Sequence, residues 1–355
     1  MEAEPTRAAT APPTPPASPT PAPRPTASAT VPPTPSPYPS PTASPAPTAA
    51  PAAEEPATPQ AEGATPGQLA ADAALLPALA VVVENHPDAR PQTGLDHADV
   101  VYETLAEGGV SRFLALFLTG DAPVVGPVRS LRHYFAFIAA EYGADVVHIG
   151  ASPAGFAWRD ALGLGKLDES AGDPGIWRSR ARAAPHNAYT STFDDRADLA
   201  ARGNQQGGGW GPISVDPRAP LGAEPAPAVT IRFTPWQYAV AYAWDEAAGV
   251  YTRSMEGAVH RDAVDGASLG GPSVIVQFAD IAPIPNDNKA RVDIDLAGAG
   301  GRLLLFSRGT VQEGSWEKDA PDAPTRWLDA EGGPLRLSPG QLWVEIVPLT
   351  ATVDW

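Results

Sequence analysis

The fold of this chain is decided by residues 79–118, LAVVVENHPDARPQTGLDHADVVYETLAEGGVSRFLALFL. The run Leu79–Glu84 is short, apolar and rich in valine, which predicts a buried strand. Two further strand-like runs, Val100–Leu105 and Arg112–Leu118, lie on either side of the pair Gly108–Gly109, and this pattern predicts a β-hairpin. The stretch therefore predicts three strands connected by a polar loop and a tight turn.

The segment after the hairpin predicts helices. Over residues 131–142 apolar side chains recur at the spacing of one helix face, and Gly143 ends the pattern. A second helix is predicted over about 152–162 and a third over about 192–203, each with a serine or threonine cap at its start. Strands and helices are mixed throughout residues 77–220, which are therefore predicted to form an α/β domain.

Residues 221–355 are predicted to form a second, mainly β domain, after a Gly- and Pro-rich link around 203–227. Turn signals separate its strand-like runs, which are Val229–Phe233, Tyr238–Trp244, Val250–Met255, Ser273–Phe278, Arg291–Leu296, Arg302–Ser307 and Trp343–Val347. The chain is thus predicted to combine an α/β domain with a β domain.

A tract rich in Pro, Ala and Thr occupies residues 1–76, and 21 of the chain's 43 prolines fall in the first 66 residues. Such a sequence buries too little apolar surface to offset the entropy of ordering, so it is predicted to be disordered and extended. Two interpretations stay open: a tail without a specific role, and a spacer that holds the domains away from a membrane or wall. We favour the spacer.

Charge and the lack of cysteine exclude several classes of function. The net charge is −17, and the first 66 residues hold only two arginines and five glutamates, so the remainder carries about −14 and is a poor general nucleic-acid binder. Without cysteine there is no disulfide, thiolate metal site or cysteine nucleophile. No apolar run has the length of a transmembrane helix, and the sequence shows neither a signal peptide nor a lipid-accepting cysteine. Because metal-binding and cofactor motifs are also missing, neither group is predicted.

Several motifs closely resemble those of the YerB-like family. They are ENHPDARPQTGLDHADVVYETLAEGGVSRFLALF (84–117), GPVRSLRHYF (126–135), HIGASP (148–153) and APHN (184–187), and, further along the chain, ARVDIDL (290–296), GRLLLFSRGTVQEGSWEK (301–318) and LSPGQLWVEIVP (337–348). The resemblance covers about residues 78–350.

This family is described as bacterial "putative lipoproteins" with paired N- and C-terminal domains of unknown function. The resemblance implies an N-terminal domain of layered sheet and helices. It also implies an extracytoplasmic protein, tethered to a membrane or wall through the N-terminal spacer. It implies no particular biochemical activity, and this chain departs from the pattern by lacking the lipid-modified cysteine.

The loop after the first predicted strand is dense in polar side chains. Loops at strand ends collect binding groups in α/β folds, although Pro87 and Pro91 also suit a rigid turn. We favour a ligand-binding role for this loop. The candidate residues are Asn85, His86, Asp88 and Arg90.

Glu103 and Glu107 are four residues apart, a spacing that puts both side chains on one face of either a strand or a helix. Two neighbouring carboxylates can act as general acid and base, as in glycan-cleaving enzymes. The alternative is a pair of solvated or arginine-paired glutamates. Arg112, just beyond the glycine turn, is a candidate ion-pair partner and a candidate ligand-binding residue.

Arg129, Ser130 and Arg132 precede the strongest predicted helix. A helix N-terminus offers unpaired N–H groups and a partial positive charge, and two arginines there would add donors for a carboxylate or phosphate. An anion site and a purely structural ion pair are equally compatible with this pattern.

Two histidines outside the first loop are candidate acid–base groups. His148 lies at the end of a predicted strand, and His186 lies in a loop beside Asn187, a candidate ligand-binding residue. Ser152 follows His148 closely, but the G-x-S-x-G motif of a nucleophile elbow is absent, so Ser152 is predicted to be a helix cap.

We therefore expect an extracytoplasmic, cell-envelope-associated protein that binds an anionic ligand, such as a cell-wall component, in an Arg/His/Asn-lined pocket of the N-terminal domain. The first alternative is a glycan-cleaving enzyme that uses Glu103 or Glu107. The second is a non-catalytic structural or adaptor protein. Arg129→Ala is expected to abolish protection by the ligand, with Arg253→Ala as the control; the oligomeric state stays open.

Overall fold

The computed structural model describes residues 69–70, 72–204, 208–234 and 239–355. The predicted spacer, residues 1–76, lies almost entirely outside these ranges, and its disorder stays a prediction. Within them the chain is mostly sheet, with three α-helices. None of the helices in the described ranges is long and apolar enough to cross a membrane.

The first half of the described chain mixes strands and helices, and the predicted first strand, hairpin and three helices are confirmed. The strands are β1 (Leu79–Glu84), β2 (Val100–Glu107), β3 (Val110–Phe117), β4 (Asp145–His148), β5 (Lys166–Asp168), β6 (Trp177–Arg178) and β7 (Ala188–Tyr189). The helices are α1 (His133–Glu141), α2 (Pro153–Ala161) and α3 (Thr192–Ala201).

Side-chain caps set the starts of two of these helices. Ser152 Oγ accepts a hydrogen bond from Gly155 N (3.0 Å), and Pro153 occupies the first helical position, so α2 starts as the sequence predicts. Ser191 caps α3 in the same way. Arg132 precedes α1 without a side-chain cap.

The second half consists of strands, and each predicted run overlaps one of them. Residue 238, the predicted start of one run, lies outside the described ranges. The strands are β8 (Glu224–Pro225), β9 (Ala228–Arg232), β10 (Val240–Asp245), β11 (Val250–Met255), β12 (Ala258–Val259), β13 (Gly270–Gly271), β14 (Ser273–Pro283), β15 (Val292–Asp295), β16 (Ala299–Ser307), β17 (Thr310–Lys318), β18 (Arg326–Asp329), β19 (Leu342–Pro348) and β20 (Thr352–Asp354).

Twelve of the described strands form one large sheet in the order β18-β17-β16-β14-β19-β2-β3-β1-β4-β5, with β15 paired to β14 and β8 paired to β17. A smaller sheet of six strands has the order β12-β11-β10-β9-β20, with β13 paired to β11. β6 and β7 pair with each other.

The large sheet lies between two layers. Side chains of β1 alternate between its faces: Val82 belongs to the core shared with α1, whereas Val81 and Val83 belong to the core shared with the smaller sheet. Tyr134 and Phe135 of α1 are fully buried on the first face. α1 and the smaller sheet therefore cover opposite faces of one continuous sheet, whereas Leu199 of α3 belongs to the same core as the smaller sheet.

The two predicted domains meet inside this sheet. β2 and β19 pair in parallel, with Val100 opposite Leu342 and Thr104 opposite Ile346, and Thr104 Oγ1 also donates to the carbonyl of Ile346 (2.8 Å). Strands of the two predicted domains are thus hydrogen-bonded to each other within one sheet. The boundary near residue 220 stays a prediction.

Candidate functional site

A cavity of about 410 Å³ opens beside the turn of the β2–β3 hairpin. Four stretches form its wall: the hairpin turn, the segment that leads into α1, the segment that leads into α2, and the loop before β15. The lining residues are Glu107, Gly108, Ser130, Arg132, Ala151, Ser152, Lys289 and Arg291. The cavity therefore combines residues from both predicted domains.

Backbone contacts hold the loop before β15 against the hairpin turn. Gly108 N donates to the carbonyl of Ala290 (2.9 Å), and Glu107 forms a bridge with Arg291. Gly108 has a φ of +57°, which allows the tight turn that these contacts need. Arg291 is fixed in turn by Asp287, whose two carboxylate oxygens accept hydrogen bonds from its guanidinium at 2.8 Å each.

Glu107 is the one carboxylate among the residues that line this cavity. Arg112 and Arg132 each donate to a different oxygen of Glu107, both at 2.5 Å. Burial raises the pKa of Glu107, but the two arginines outweigh burial and lower the pKa below its ordinary value. Glu107 is therefore ionised at neutral pH, which suits it to holding the arginines in position and not to delivering a proton.

Both arginines are also tied to the backbone of the segment before α1. Arg112 Nη1 donates to the carbonyl of Ser130 (2.7 Å), and Arg132 Nη1 donates to the carbonyl of Leu131 (3.0 Å). Burial, and the charge of Arg132, lower the pKa of Arg112 to about 10, which still leaves it charged at neutral pH. Arg132 Nε is buried and has no hydrogen-bond partner among the described residues.

Glu103 does not belong to this cavity, and the prediction that Glu103 and Glu107 share a face is wrong. The register of the hairpin shifts between Leu105 and Glu107. Ser111 Oγ donates to Glu103 (2.5 Å), whereas its neighbour Arg112, on the other face of β3, contacts Glu107. A β-bulge reverses the alternation that the spacing argument assumes.

Glu103 lies instead in a fully buried polar network around Arg253. Arg253 Nη2 donates to Glu103, and Arg253 Nη1 lies 2.5 Å from His260 Nδ1. Arg253 Nε is 3.9 Å from Glu345, which also accepts a hydrogen bond from Tyr242 (2.5 Å). Burial and the charge of Glu103 raise the pKa of Glu345, which favours its protonated form.

Asn85 is part of the same network. Its Nδ2 donates to Glu103 (2.8 Å) and to Ser111 (2.9 Å), while its Oδ1 accepts from Arg90 Nε (3.1 Å) and from Gln92 Nε2 (3.0 Å). Asn85 is fully buried, and its polar groups are used within the protein. The side chain of Asn85 thus lies in the protein interior and does not line the cavity.

His148 is also buried away from the cavity. Its Nδ1 lies 2.9 Å from the carbonyl of Gly150, and its Nε2 lies 3.3 Å from Arg159 Nη1. Burial lowers the pKa of His148 to about 4, although the nearby Asp168 raises it. His148 is therefore neutral at pH 7, and with no exposed surface it cannot reach a ligand in the cavity.

A second polar cluster contains several of the remaining candidates. Arg129 pairs with Glu84 at 2.8 Å, and Glu84 also contacts His186 Nδ1 at 3.0 Å. The rings of His86 and His186 stack with their centroids 4.8 Å apart. Asp88 lies beside both histidines, 3.6 Å from His86 Nδ1 and 3.9 Å from His186 Nε2.

Asn187 faces neither the cavity nor this cluster. Its Oδ1 accepts a hydrogen bond from Arg178 (3.1 Å), and its Nδ2 donates to the carbonyl of Ser179 (2.9 Å). These bonds hold together the two short strands β6 and β7. The side chain of Asn187 therefore has a local, structural role.

The candidates thus separate into distinct places. The structure brings Glu107, Ser130 and Arg132 together in the cavity, with Arg112 behind them. The sequence missed Lys289 and Arg291 as site residues, because they lie more than 150 positions further along the chain. The one available signal was the motif ARVDIDL, which begins at Ala290 and contains Arg291.

Comparison with known proteins gives a consistent result across most of the chain. Residues 66–207 match the family model described as "Protein of unknown function (DUF3048) N-terminal domain", and residues 229–344 match the corresponding C-terminal domain. The "Putative lipoprotein YerB" of Bacillus subtilis (strain 168) is 32% identical over 280 residues, which covers 76% of this chain and 81% of that protein.

The fold agrees with that relationship. The crystal structure of the YerB protein from Bacillus subtilis resembles this structure with a TM-score of 0.69 at 32% identity, covering 79% of this chain and 94% of the other. The two-domain architecture and the sheet-rich fold are therefore those of YerB. This chain belongs to the DUF3048 family, whose paired N- and C-terminal domains are of unknown function, and it is a relative of YerB.

Proposed function

We propose that this protein is an extracytoplasmic, cell-envelope-associated binder that holds an anionic ligand in the cavity beside the β2–β3 turn. The observation that carries the proposal is the cationic wall, to which Arg132, Lys289 and Arg291 contribute. The sequence predicts Arg, His and Asn in the pocket, whereas this cavity offers Arg, Lys and Ser.

The charge balance at the cavity supports an anion. Two arginines, Arg112 and Arg132, share the single carboxylate of Glu107, and Arg291 pairs with Asp287. Lys289 is exposed and has no carboxylate partner among the described residues. The lining residues therefore include three cations, Arg132, Lys289 and Arg291, and one carboxylate, Glu107, and this excess of positive charge favours a phosphate or carboxylate group.

The remaining wall suits the same chemistry. Ser152 and Ala151 lie at the N-terminus of α2, where the backbone N–H groups and the helix dipole favour negative charge. The volume of about 410 Å³ falls in the usual range for a small-molecule site. We infer a ligand of modest size that presents one or two anionic groups, such as a fragment of an envelope polymer.

The enzyme alternative is less well supported by the carboxylates. Glu103 is fully buried and ion-paired with Arg253, and Glu107 is ion-paired twice. A glycan-cleaving pair needs two carboxyl groups that flank one bond, with one of them protonated. Glu103 and Glu107 lie on opposite sides of the sheet, so we favour binding over cleavage.

The location in the envelope rests on other grounds. The related protein of Bacillus subtilis carries the name "Putative lipoprotein YerB", which supports an extracytoplasmic, membrane-tethered protein. The Pro/Ala/Thr-rich residues 1–76 would then act as the spacer between the anchor and the domains. In that arrangement the cavity would meet polymers of the cell wall.

The proposal predicts that the purified full chain is retained on insoluble cell-wall fragments that carry phosphodiester polymers, and is retained less on fragments stripped of them. Lys289→Glu should weaken retention by about tenfold or more, because it reverses the one cation of the wall that no described carboxylate offsets. The readout is the bound fraction over a range of salt concentrations.

Lys166→Glu is the matched control, since Lys166 is a partly exposed lysine in β5 that pairs with Asp173 and does not line the cavity. Equal retention of both variants would contradict the proposed site. Release of soluble fragments during the incubation would support the enzyme alternative.

A further inference from the structure

The second polar cluster has the composition of a metal site. One ring nitrogen of His86, one ring nitrogen of His186 and a carboxylate oxygen of Asp88 all lie within 4.8 Å of one another. Asp88 is exposed and both histidines are partly exposed, so an ion can reach the cluster from solvent. Two imidazoles and one carboxylate are the donor set of many zinc sites.

Two separate loops bring these residues together. His86 and Asp88 lie in the turn that follows β1, and His186 lies in the loop before β7. Arg182 joins the two loops, because its guanidinium donates to the carbonyls of Ala89 and Pro91. The cluster is thus braced by contacts that do not use its own polar side chains.

The surroundings of His186 match those of a metal-bound histidine. Its Nδ1 lies 3.0 Å from Glu84 Oε2, and Glu84 is held in turn by Arg129 at 2.8 Å. A carboxylate on the far nitrogen fixes the orientation of the ring and leaves Nε2 free as a ligand atom, as in carboxylate–histidine–zinc triads. Nε2 of His186 points towards Asp88, at 3.9 Å from Oδ2.

The hydrogen bonding of His86 is also compatible with metal binding. Its Nδ1 accepts a hydrogen bond from Asp88 N (3.2 Å), so that nitrogen is unprotonated, as a metal ligand must be. The ring is stacked on that of His186, with the centroids 4.8 Å apart and the planes 20° apart, so the two rings must tilt before both can direct a nitrogen at one ion. A bond to metal would replace this one weak hydrogen bond.

We propose that His86, Asp88 and His186 form a binding site for a divalent transition metal of the zinc class. Ligand atoms around tetrahedral zinc lie about 3.3 Å apart, given bonds of 2.0–2.1 Å. The distances of 3.6 Å and 3.9 Å from Asp88 to the two rings need a small contraction. The ligand atoms of the cluster all lie within 4.8 Å, and rotation of the exposed carboxylate and of the two partly exposed rings is needed to draw them together around one ion. Imidazole donors favour zinc over magnesium or calcium.

Three protein ligands leave a fourth position open. In zinc proteins, that position holds water or an oxygen of a bound molecule. Arg129, which positions Glu84, is close enough to the anion cavity for its charge to act on Glu107. The metal site and the cavity are therefore neighbours, although the metal proposal stands on its own residues.

The test is a zinc titration of the full chain without a histidine tag, followed by calorimetry and by metal analysis after dialysis. We expect one zinc ion per chain, and Co²⁺ in its place should give the intense visible absorption of a four-coordinate site. His186→Ala and Asp88→Asn should each weaken zinc binding by at least about tenfold.

His97→Ala is the matched control, since His97 also lies beside an aspartate, Asp96, at 3.0 Å, but outside the cluster. It should bind zinc as the unchanged chain does. Thermal unfolding without metal should be similar for Asp88→Asn and the unchanged chain, which separates loss of a ligand from loss of fold. Failure of the unchanged chain to bind zinc, or equal affinity in all variants, would overturn the proposal.

Discussion

Arg253 shows how strongly a single residue can depend on its partners. It is fully buried, and burial lowers the pKa of a guanidinium, yet Glu103, Tyr242 and Glu345 together outweigh burial and raise the pKa of Arg253. Its guanidinium also lies over the rings of Phe113 and Trp343, at 5.3 Å and 5.1 Å. Arg253 is therefore unsuitable as the neutral control that the sequence suggested.

We predict that Arg253→Ala lowers the free energy of unfolding by about 3–5 kcal/mol, because it leaves Glu103 buried without its cation. The exposed pair Arg302–Glu313 supplies the comparison, and Arg302→Ala should cost less than about 1 kcal/mol. Urea denaturation of the two variants and the unchanged chain measures the difference. Similar losses for both variants would show that the buried ion pair contributes little.

His148 should make stability depend on pH. Its pKa falls from 6.5 in the unfolded chain to about 4 in the folded protein, so between these values the unfolded chain binds more protons. Stability is therefore lost as the pH falls from about 6.5 to 4, by roughly 3 kcal/mol from this group. His148→Gln should remove that part of the pH dependence.

Unfolding by urea at pH 7, 5.5 and 4 tests this expectation. Burial raises the pKa of Asp195 to about 8, so this group lowers stability as the pH rises, which is opposite to the effect of His148. The effect of His148 is therefore measured as the difference in stability between His148→Gln and the unchanged chain. If the free energies of unfolding of the two proteins differ by the same amount at all three pH values, His148 does not contribute to the pH dependence of stability.

At the scale of elements, much of the secondary structure could be predicted. The helix caps Ser152 and Ser191 and the apolar period of α1 are local signals, and β1 coincides with its valine-rich run. β17 was missed because Gly314 and polar residues interrupt its apolar pattern. The bulge before Glu107 was missed because nothing in the local sequence marks a change of register.

The loop after β1 depends on one glycine. Gly94 has a φ of +80°, and a Cβ atom there would lie 2.4 Å from the carbonyl oxygen of Val124. Its N–H donates to Asp262 at 2.6 Å, which connects the loop to the second half of the chain. We predict that Gly94→Ala lowers the free energy of unfolding by about 2–5 kcal/mol, from backbone strain plus the clash.

Gly108→Ala separates these two effects. Gly108 also has a positive φ, +57°, but a Cβ atom there would meet nothing within 4 Å. We expect this variant to lose only about 1–2 kcal/mol, from the backbone alone. Thermal unfolding of Gly94→Ala and Gly108→Ala measures the difference in stability between them. An equal loss of stability in both variants would mean that the backbone around Val124 moves to relieve the clash with the added Cβ atom.

At the scale of the whole molecule, the site depends on chain topology that sequence patterns do not reveal. Glu107 and Arg132 lie within one stretch of sequence and could be proposed together. Lys289 and Arg291 reach the same cavity because β2 and β19 join both halves of the chain into one sheet and the loop before β15 contacts the hairpin turn. His186 reaches His86 through a comparable long-range contact.

The most direct test of the account is a crystal structure of the full chain grown with a phosphate-bearing cell-wall fragment. We predict that the anionic group lies in the cavity beside the hairpin turn, within hydrogen-bonding distance of Arg132, Lys289 or Arg291. Density for the fragment elsewhere on the surface, or an empty cavity at a saturating concentration, would contradict the claim that this protein binds anions there.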